Sequence, residues 1–311
     1  PEPILISPPN GQHVVFVVNQ NALGGKGGYF DGINHFTQGV ANCVDGQPKS
    51  NEASMIFVGY DAADTANFEL NENLVRGTAH EFQHLINFVD HAVLPAQANY
   101  EDRWINEGLS MLAQDLAVNR LYPSQTFDVA DALYRAQQFL LAPQDYSLTA
   151  FTGYSPGANA FQYNCSGGCY GASYLFTRYL YDRFGGDTFT HAMESGANVS
   201  YANLQASTGQ VPTSLISDFG VALMASNTGL TTDPRFNFTA FNPYGSYVDQ
   251  FGDNLVFQGV NTFSQAQGTS VAYPMFYGTF SYITAPSVGG AAVAVSDPGN
   301  SLSLAPALQQ R

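Results

Sequence analysis

Two histidines four residues apart, in His80-Glu81-Phe82-Gln83-His84, limit how this chain can fold more than any other feature. On a helix they lie one above the other on one face, so both imidazoles can aim at a single ion. Leu74, Val75, Ala79, Phe82, Leu85, Ile86 and Phe88 recur at helical spacing around them, and Asn71 with Glu72 supplies an expected cap and first-turn charge. A buried helix is therefore predicted. Glu81 is turned about 100° from His80 by the helix period. That makes it a poor ligand but puts its carboxylate beside the ion, where a general base for an attacking water is needed. A catalytic metal takes a third protein ligand and keeps one position open. The string Trp104-Ile105-Asn106-Glu107-Gly108-Leu109-Ser110 offers Glu107 from a second predicted helix, so two consecutive helices must bring these faces together.

His80-Glu81-x-x-His84 followed by Asn106-Glu107-Gly108 resembles the gluzincin metallopeptidases. The longer strings Ala79–Asn87 and Trp104–Ser110 resemble the hyicolysin family of secreted neutral zinc peptidases, over a stretch from Ser54 to Gly186. The resemblance implies one catalytic Zn2+ held by His80, His84 and Glu107, with Glu81 as base and a protein or peptide as substrate. It implies an α+β fold, a two-lobed, thermolysin-like zincin with the active-site helix at the cleft floor. Gluzincins add a tyrosine or histidine donor to the developing oxyanion, and one such donor is worth about 3 kcal/mol of barrier. The segment Cys169–Gly186 reads as a helix with glycine at its exit. It resembles an aminopeptidase-type helix that begins with the catalytic tyrosine, and matching the ends selects Tyr170. Tyr174 and Tyr163 stand behind it, in a chain whose 18 tyrosines are mostly expected to pack.

Two departures from those relatives matter. Met111 occupies the position where thermolysin-like enzymes carry an aspartate that orients a histidine. Asp115 and Asn87 are then candidates to bond a ligand imidazole, both reading equally as ordinary polar residues and Asp115 more readily so. The aminopeptidase string Gly-x-Met-Glu-Asn is absent upstream of His80, which favours internal cleavage over trimming from the amino end. A zinc aminopeptidase and a noncatalytic peptide-binding scaffold are the competing readings, and the intact Glu81 argues against the second. The run Ala53–Tyr60 reads as a strand close to the metal helix. In the relatives the last strand before that helix is an edge that pairs with substrate; an interior strand is the alternative.

At 311 residues, 45% of them hydrophobic, the chain can bury a sizeable core and holds more than one domain. A net charge of -15, with Lys26 and Lys49 as the lysines, repels nucleic acid and anionic membrane, and neither is an expected partner. No apolar run approaches the ~20 residues that cross a bilayer. The acidity also suits Ca2+, but no EF-hand-like loop supports it. Cys165-Ser-Gly-Gly-Cys169 closes a small disulfide or, less readily, binds metal or stays reduced, with Cys43 left over. The start at Pro1, without a signal-peptide pattern, is expected to follow removal of a leader, in keeping with a secreted, extracellular protein.

Three regions are expected: residues 1–67, a β-rich part of an upper lobe; 68–240, the metal-binding and mainly helical region; and 241–311, a β-rich module. The first contains the strand His13–Val18 and a Gly-rich stretch, Gly24 to Gly32, that lacks the Lys-Ser/Thr context of a phosphate loop. Helical patterns cover Ala130–Ala142, Tyr170–Phe184 and Ser214–Ala225. Beyond residue 240 come short β-like runs, Ser270–Ile283 and Ala291–Val295, in a module expected to pack on the catalytic region rather than to bind wall or glycan.

Overall fold

The β-branched run Val-Val-Phe-Val-Val forms the first strand, β1 (Val14–Asn19), in a computed structural model that describes residues 13–36, 50–60, 69–95, 99–122, 127–155, 160–162, 165, 167–249, 252, 254–264 and 278–284. β1 pairs in parallel with β3 (Met55–Tyr60), Val14 opposite Met55 and Asn19 opposite Tyr60. On the other side of β3 lies the short antiparallel strand β2 (Gly28–Tyr29), Gly28 opposite Val58. Among the described residues β3 is thus flanked by two strands, which favours the plain interior strand over the substrate-pairing edge. Its residues explain this: Met55, Ile56, Val58 and Gly59 are buried, as a strand covered on both faces requires.

Helix α1 (Glu69–Phe88) lies on this sheet and continues through a wider turn, Val89–Val93. Its apolar stripe supplies Leu85, which packs with Ile56 and Val58, while Leu74, Phe82 and Val89 surround that cluster. Asn71 falls inside the first turns rather than at the cap, because the helix begins at Glu69. Asparagine costs a helix interior only about 0.7 kcal/mol, so the longer helix is not blocked. Helix α2 (Arg103–Leu121) runs back along α1 and buries Trp104, Ile105, Leu109, Met111 and Leu112.

The remaining helices are α3 (Tyr134–Leu141), α4 (Gly167–Arg183), α5 (Asp187–Glu194), α6 (Ser200–Thr208) and α7 (Pro212–Ala225). The three helical patterns of residues 130–225 are thus present, with α4 starting three residues before Tyr170. The chain divides into two compact units, Pro1–Asp128 with Asp187–Thr208, and Val129–Gly186 with Gly209–Arg311. Each unit is built from two separate stretches of chain. The first holds the three-stranded sheet, α1, α2, α5 and α6.

In the second unit α4 is buried all round from Gly171 to Leu180. Aromatic rings supply much of this core, with Phe176 edge-on to Phe219 at 5.3 Å and Tyr179 to Phe238 at 5.7 Å. Small sheets complete it: β4 (Tyr146–Ser147), β5 (Thr152–Ser155) and β6 (Ala160–Gln162) form one, β7 (Ser246–Val248) and β8 (Asn254–Val256) another, and β9 (Phe263–Ser264) pairs with β10 (Ile283–Thr284). The described residues after 240 pack on α3 and α7: Asn261 N–H donates to the Leu140 carbonyl at 2.9 Å, and the Tyr282 hydroxyl to that of Gly220 at 2.7 Å. The expected strand runs at 270–277 and 291–295 lie outside the described residues. No helix among the described residues is long and apolar enough to cross a membrane.

In the first unit α5 and α6 are tied to α1 and α2 by buried polar groups. Gln83 and Asn87 donate to the buried Glu194 carboxyl at 2.5 and 3.2 Å, and Glu101 accepts from the Ser200 amide at 2.6 Å and from Asn203 at 2.9 Å. Burial pushes Glu194 up from its ordinary 4.5 to about 8, against the two amide donors and with the charges of Asp90 and Glu101 adding to the rise. The folded state therefore binds this proton more tightly than the unfolded chain does. That contribution to stability is complete below pH 4.5 and is lost as pH rises towards 8. Glu194→Gln keeps an acceptor for Gln83 and Asn87 without the charge, so its denaturant midpoint should fall less than wild type between acid and alkaline pH. An equal fall in both proteins would assign the loss to other groups.

Candidate metal centre

Because α1 and α2 run side by side in opposite directions, His80 and His84 face Glu107 across the helix pair. His80 Nε2 lies 3.4 Å and His84 Nε2 3.6 Å from the same oxygen, Glu107 Oε2. All three ligand atoms fall within 4.8 Å of one another. Metal bonds of ~2.0–2.2 Å at tetrahedral angles separate their ligand atoms by about 3.4 Å, so the group has the dimensions of three corners of a tetrahedral site. It is the one such gathering of three His, Cys, Asp or Glu among the described residues. The two imidazole rings stand edge to face at 4.8 Å, which lets both point a nitrogen inward. The N2O donor set, largely buried and one corner short, fits a divalent zinc-like cation.

The electrostatics of the group agree with that. Burial opposes a charged Glu107, but hydrogen bonds and charge from His80 and His84 hold its carboxyl well below the usual range. Burial likewise opposes a charged His84, and Glu107 with Glu81 outweighs it and raises this imidazole. Two carboxylates facing two imidazoles form a buried cluster whose charges a cation or shared protons can balance. The second oxygen of Glu107 lies 3.5 Å from the Arg103 guanidinium, one turn earlier on α2.

The groups that orient the second histidine differ from those expected. Asn106 Oδ1 lies 2.8 Å from His84 Nδ1, and Ser110 Oγ lies 3.1 Å from the same nitrogen. Asn106 as acceptor sets the proton on Nδ1 and leaves the Nε2 lone pair for a metal. Asn87 instead donates to Glu194, and Asp115 accepts the backbone N–H of Asp128 at 2.6 Å. The signal was in the sequence: Asn106 and Ser110 bracket Glu107 and, four residues apart, share one helix face with each other. Met111 is a core residue, 1% exposed, which is why no acid stands there.

Glu81 is buried beside this group, 7% exposed. Burial raises its carboxyl above the ordinary range, His80 and His84 work against the rise, Glu107 adds to it, and the Lys26 charge opposes it. Its outer side meets Gly28 of β2. The Gly-rich stretch around residue 28 is therefore a tight turn and strand packed on the metal helix.

Tyr170 belongs to the second unit, in the first turn of α4. There its ring lies edge-on to Phe151 at 5.1 Å with the Arg135 guanidinium 4.8 Å above it. Tyr174 is fully buried in the same helix, which leaves a substrate no access to it, and Tyr163 lies outside the described residues. Cys165 and Cys169 form a disulfide, with Cα atoms 5.8 Å apart, that pins the start of α4 just before Tyr170; Cys43 lies outside the described residues. No protein-family model and no curated protein matches this chain.

The orienting contacts give a contrast that metal titration can read. Asn106→Ala removes the acceptor that fixes the His84 tautomer and should weaken Zn2+ binding by about 10–100-fold. Asn87→Ala, which removes a donor to Glu194, should leave affinity near that of wild type. Competition against a chromophoric chelator measures both, and equal affinities would reject the assignment of Asn106.

Proposed function

We propose that this chain is a secreted zinc metalloendopeptidase of the gluzincin kind, a two-lobed zincin whose cleft floor is α1. The observation that carries the reading is a carboxylate that is not a ligand, Glu81, buried against a three-donor group of His80, His84 and Glu107. Structural zinc sites are usually closed by four protein ligands and have no use for an unligated acid beside them. Zinc, when bound here, polarises a scissile carbonyl and acidifies water.

The chain's own groups supply the rest. Glu81 takes a proton from the attacking water and returns it to the leaving amine. A carboxylate raised by burial suits that exchange better than a solvated one. The two imidazoles keep Glu107 ionised, so it competes for the cation rather than for the proton. Tyr170 is assigned the oxyanion donor from the resemblance of α4 to a catalytic-tyrosine helix. The disulfide at Cys165 and Cys169 supports an oxidising, extracellular setting. The absence of Gly-x-Met-Glu-Asn before His80 supports internal cleavage.

Hydrolysis of an N-terminally blocked peptide and of its free-amine twin, before and after chelation and Zn2+ restoration, tests the reading. One zinc per chain with chelator-sensitive cleavage of the blocked peptide is the expected result. Cleavage of the free twin alone would make the enzyme an aminopeptidase, and stoichiometric zinc without cleavage would make it a binding protein. Glu81→Gln should lower kcat by about 10²–10⁴-fold while retaining zinc. Tyr170→Phe should lower kcat by about 10²–10³-fold with KM little changed. Wild-type turnover in either variant would remove that residue from the mechanism.

A further inference from the structure

The main chain of Gly28 closes over the side chain of Glu81. An ideal Cβ on Gly28 would meet three atoms of Glu81, with Cγ at 2.5 Å and Cδ at 2.8 Å. The overlap includes the methylene as well as the carboxylate, so rotating the carboxylate cannot relieve it and the whole side chain must leave its rotamer. Gly28 does not adopt a left-handed conformation, and alanine would fit its backbone without strain. The constraint is therefore one of space.

Two neighbours hold the strand down at this point. Gly77 is one helical turn before Glu81 on the same face of α1. An ideal Cβ there would stand 3.0 Å from the Gly27 carbonyl oxygen and 3.0 Å from Val58. From β3 the Gly59 N–H donates to the same Gly27 carbonyl at 2.9 Å, and Gly28 pairs with Val58. The backbone of Gly27 and Gly28 thus lies along the stripe of α1 that runs from Gly77 to Glu81. It forms a wall against which the acid leans.

We infer that Gly28 is a positioning residue for Glu81: the bare strand leaves the recess that keeps this carboxylate beside the metal ligands, and any side chain at position 28 displaces it. The inference rests on the proposed role of Glu81 as general base. A displacement of about 1 Å of a reacting group lowers turnover by about 10²-fold.

Gly28→Ala in the full chain should therefore reduce kcat on the blocked peptide by about 10²-fold, with KM and zinc stoichiometry unchanged. A second readout needs neither substrate nor metal. In the metal-free protein Gly28→Ala should lower the melting temperature, and the drop should vanish in a Glu81→Ala background, where the colliding atoms are gone. An equal drop in both backgrounds, or failure to fold in both, would overturn the inference by making Gly28 a structural residue alone. Wild-type kcat for Gly28→Ala beside an inactive Glu81→Gln would overturn it and leave the base assignment standing. Wild-type turnover by Glu81→Gln would overturn both.

Discussion

The register between α1 and α2 governs the rest of the first unit, because three ligand atoms from two helices meet only while that register holds. Sliding one helix by a single residue moves a side chain about 1.5 Å along the axis and about 100° around it, which would carry Glu107 away from both imidazoles. Several contacts oppose such a slip along the length of the pair. At one end Arg76 of α1 donates to Asp128 at 2.9 Å, and Gln114 of α2 donates to the same carboxylate at 2.7 Å. In the middle His84 is held by Asn106 and Ser110. At the far end Trp104 of α2 meets Tyr201 of α6, and Gln83 and Asn87 of α1 reach Glu194 of α5.

These contacts also explain how the unit tolerates so many ionisable groups in its interior. Glu81, Glu101, Asp115, Asp128 and Glu194 are all buried. An isolated buried charge is costly, and such groups persist only when paired, hydrogen-bonded or neutralised. Asp128 has a guanidinium and an amide, Glu101 three donors, and Glu194 two amides with a raised proton affinity. Glu81 and Glu107 are different: their compensation comes from two imidazoles that serve equally well as ligands.

Much of this was legible in the sequence, and the parts that were not have identifiable causes. The positions of His80, His84 and Glu107 follow from helix periodicity, a local property that spacing records faithfully. Spacing from Glu107 points to Asp115, two turns on, whereas the groups that meet His84 are Asn106 and Ser110, four residues apart on one side of Glu107 around the helix. Asn87 and Asp115 find partners 107 and 13 residues away, and no periodicity encodes such a choice. The interior place of β3 depends on β2, two residues long and glycine at one of them, which carries no strand signal of its own. The Gly-rich stretch carries no phosphate-loop signal, and what its bare backbone admits is another part of the same chain, the side chain of Glu81.

The first unit is made from two stretches of chain, Pro1–Asp128 and Asp187–Thr208. During synthesis the pair α1 and α2 would emerge well before α5 and α6, with the amides of Gln83 and Asn87 and the carboxyl of Glu101 still lacking the partners that the later helices bring. The 58 residues of Val129–Gly186 must be made first, and they belong to a unit that is itself incomplete until the chain passes Gly209. The first unit can therefore close only after the chain has passed Thr208, and the second only later still, so each core waits on contacts distant in sequence. Glu81 and the three candidate metal ligands all precede Asp128, so what the later helices add is not the group itself but the buried partners of Gln83, Asn87 and Glu101 that fix its surroundings.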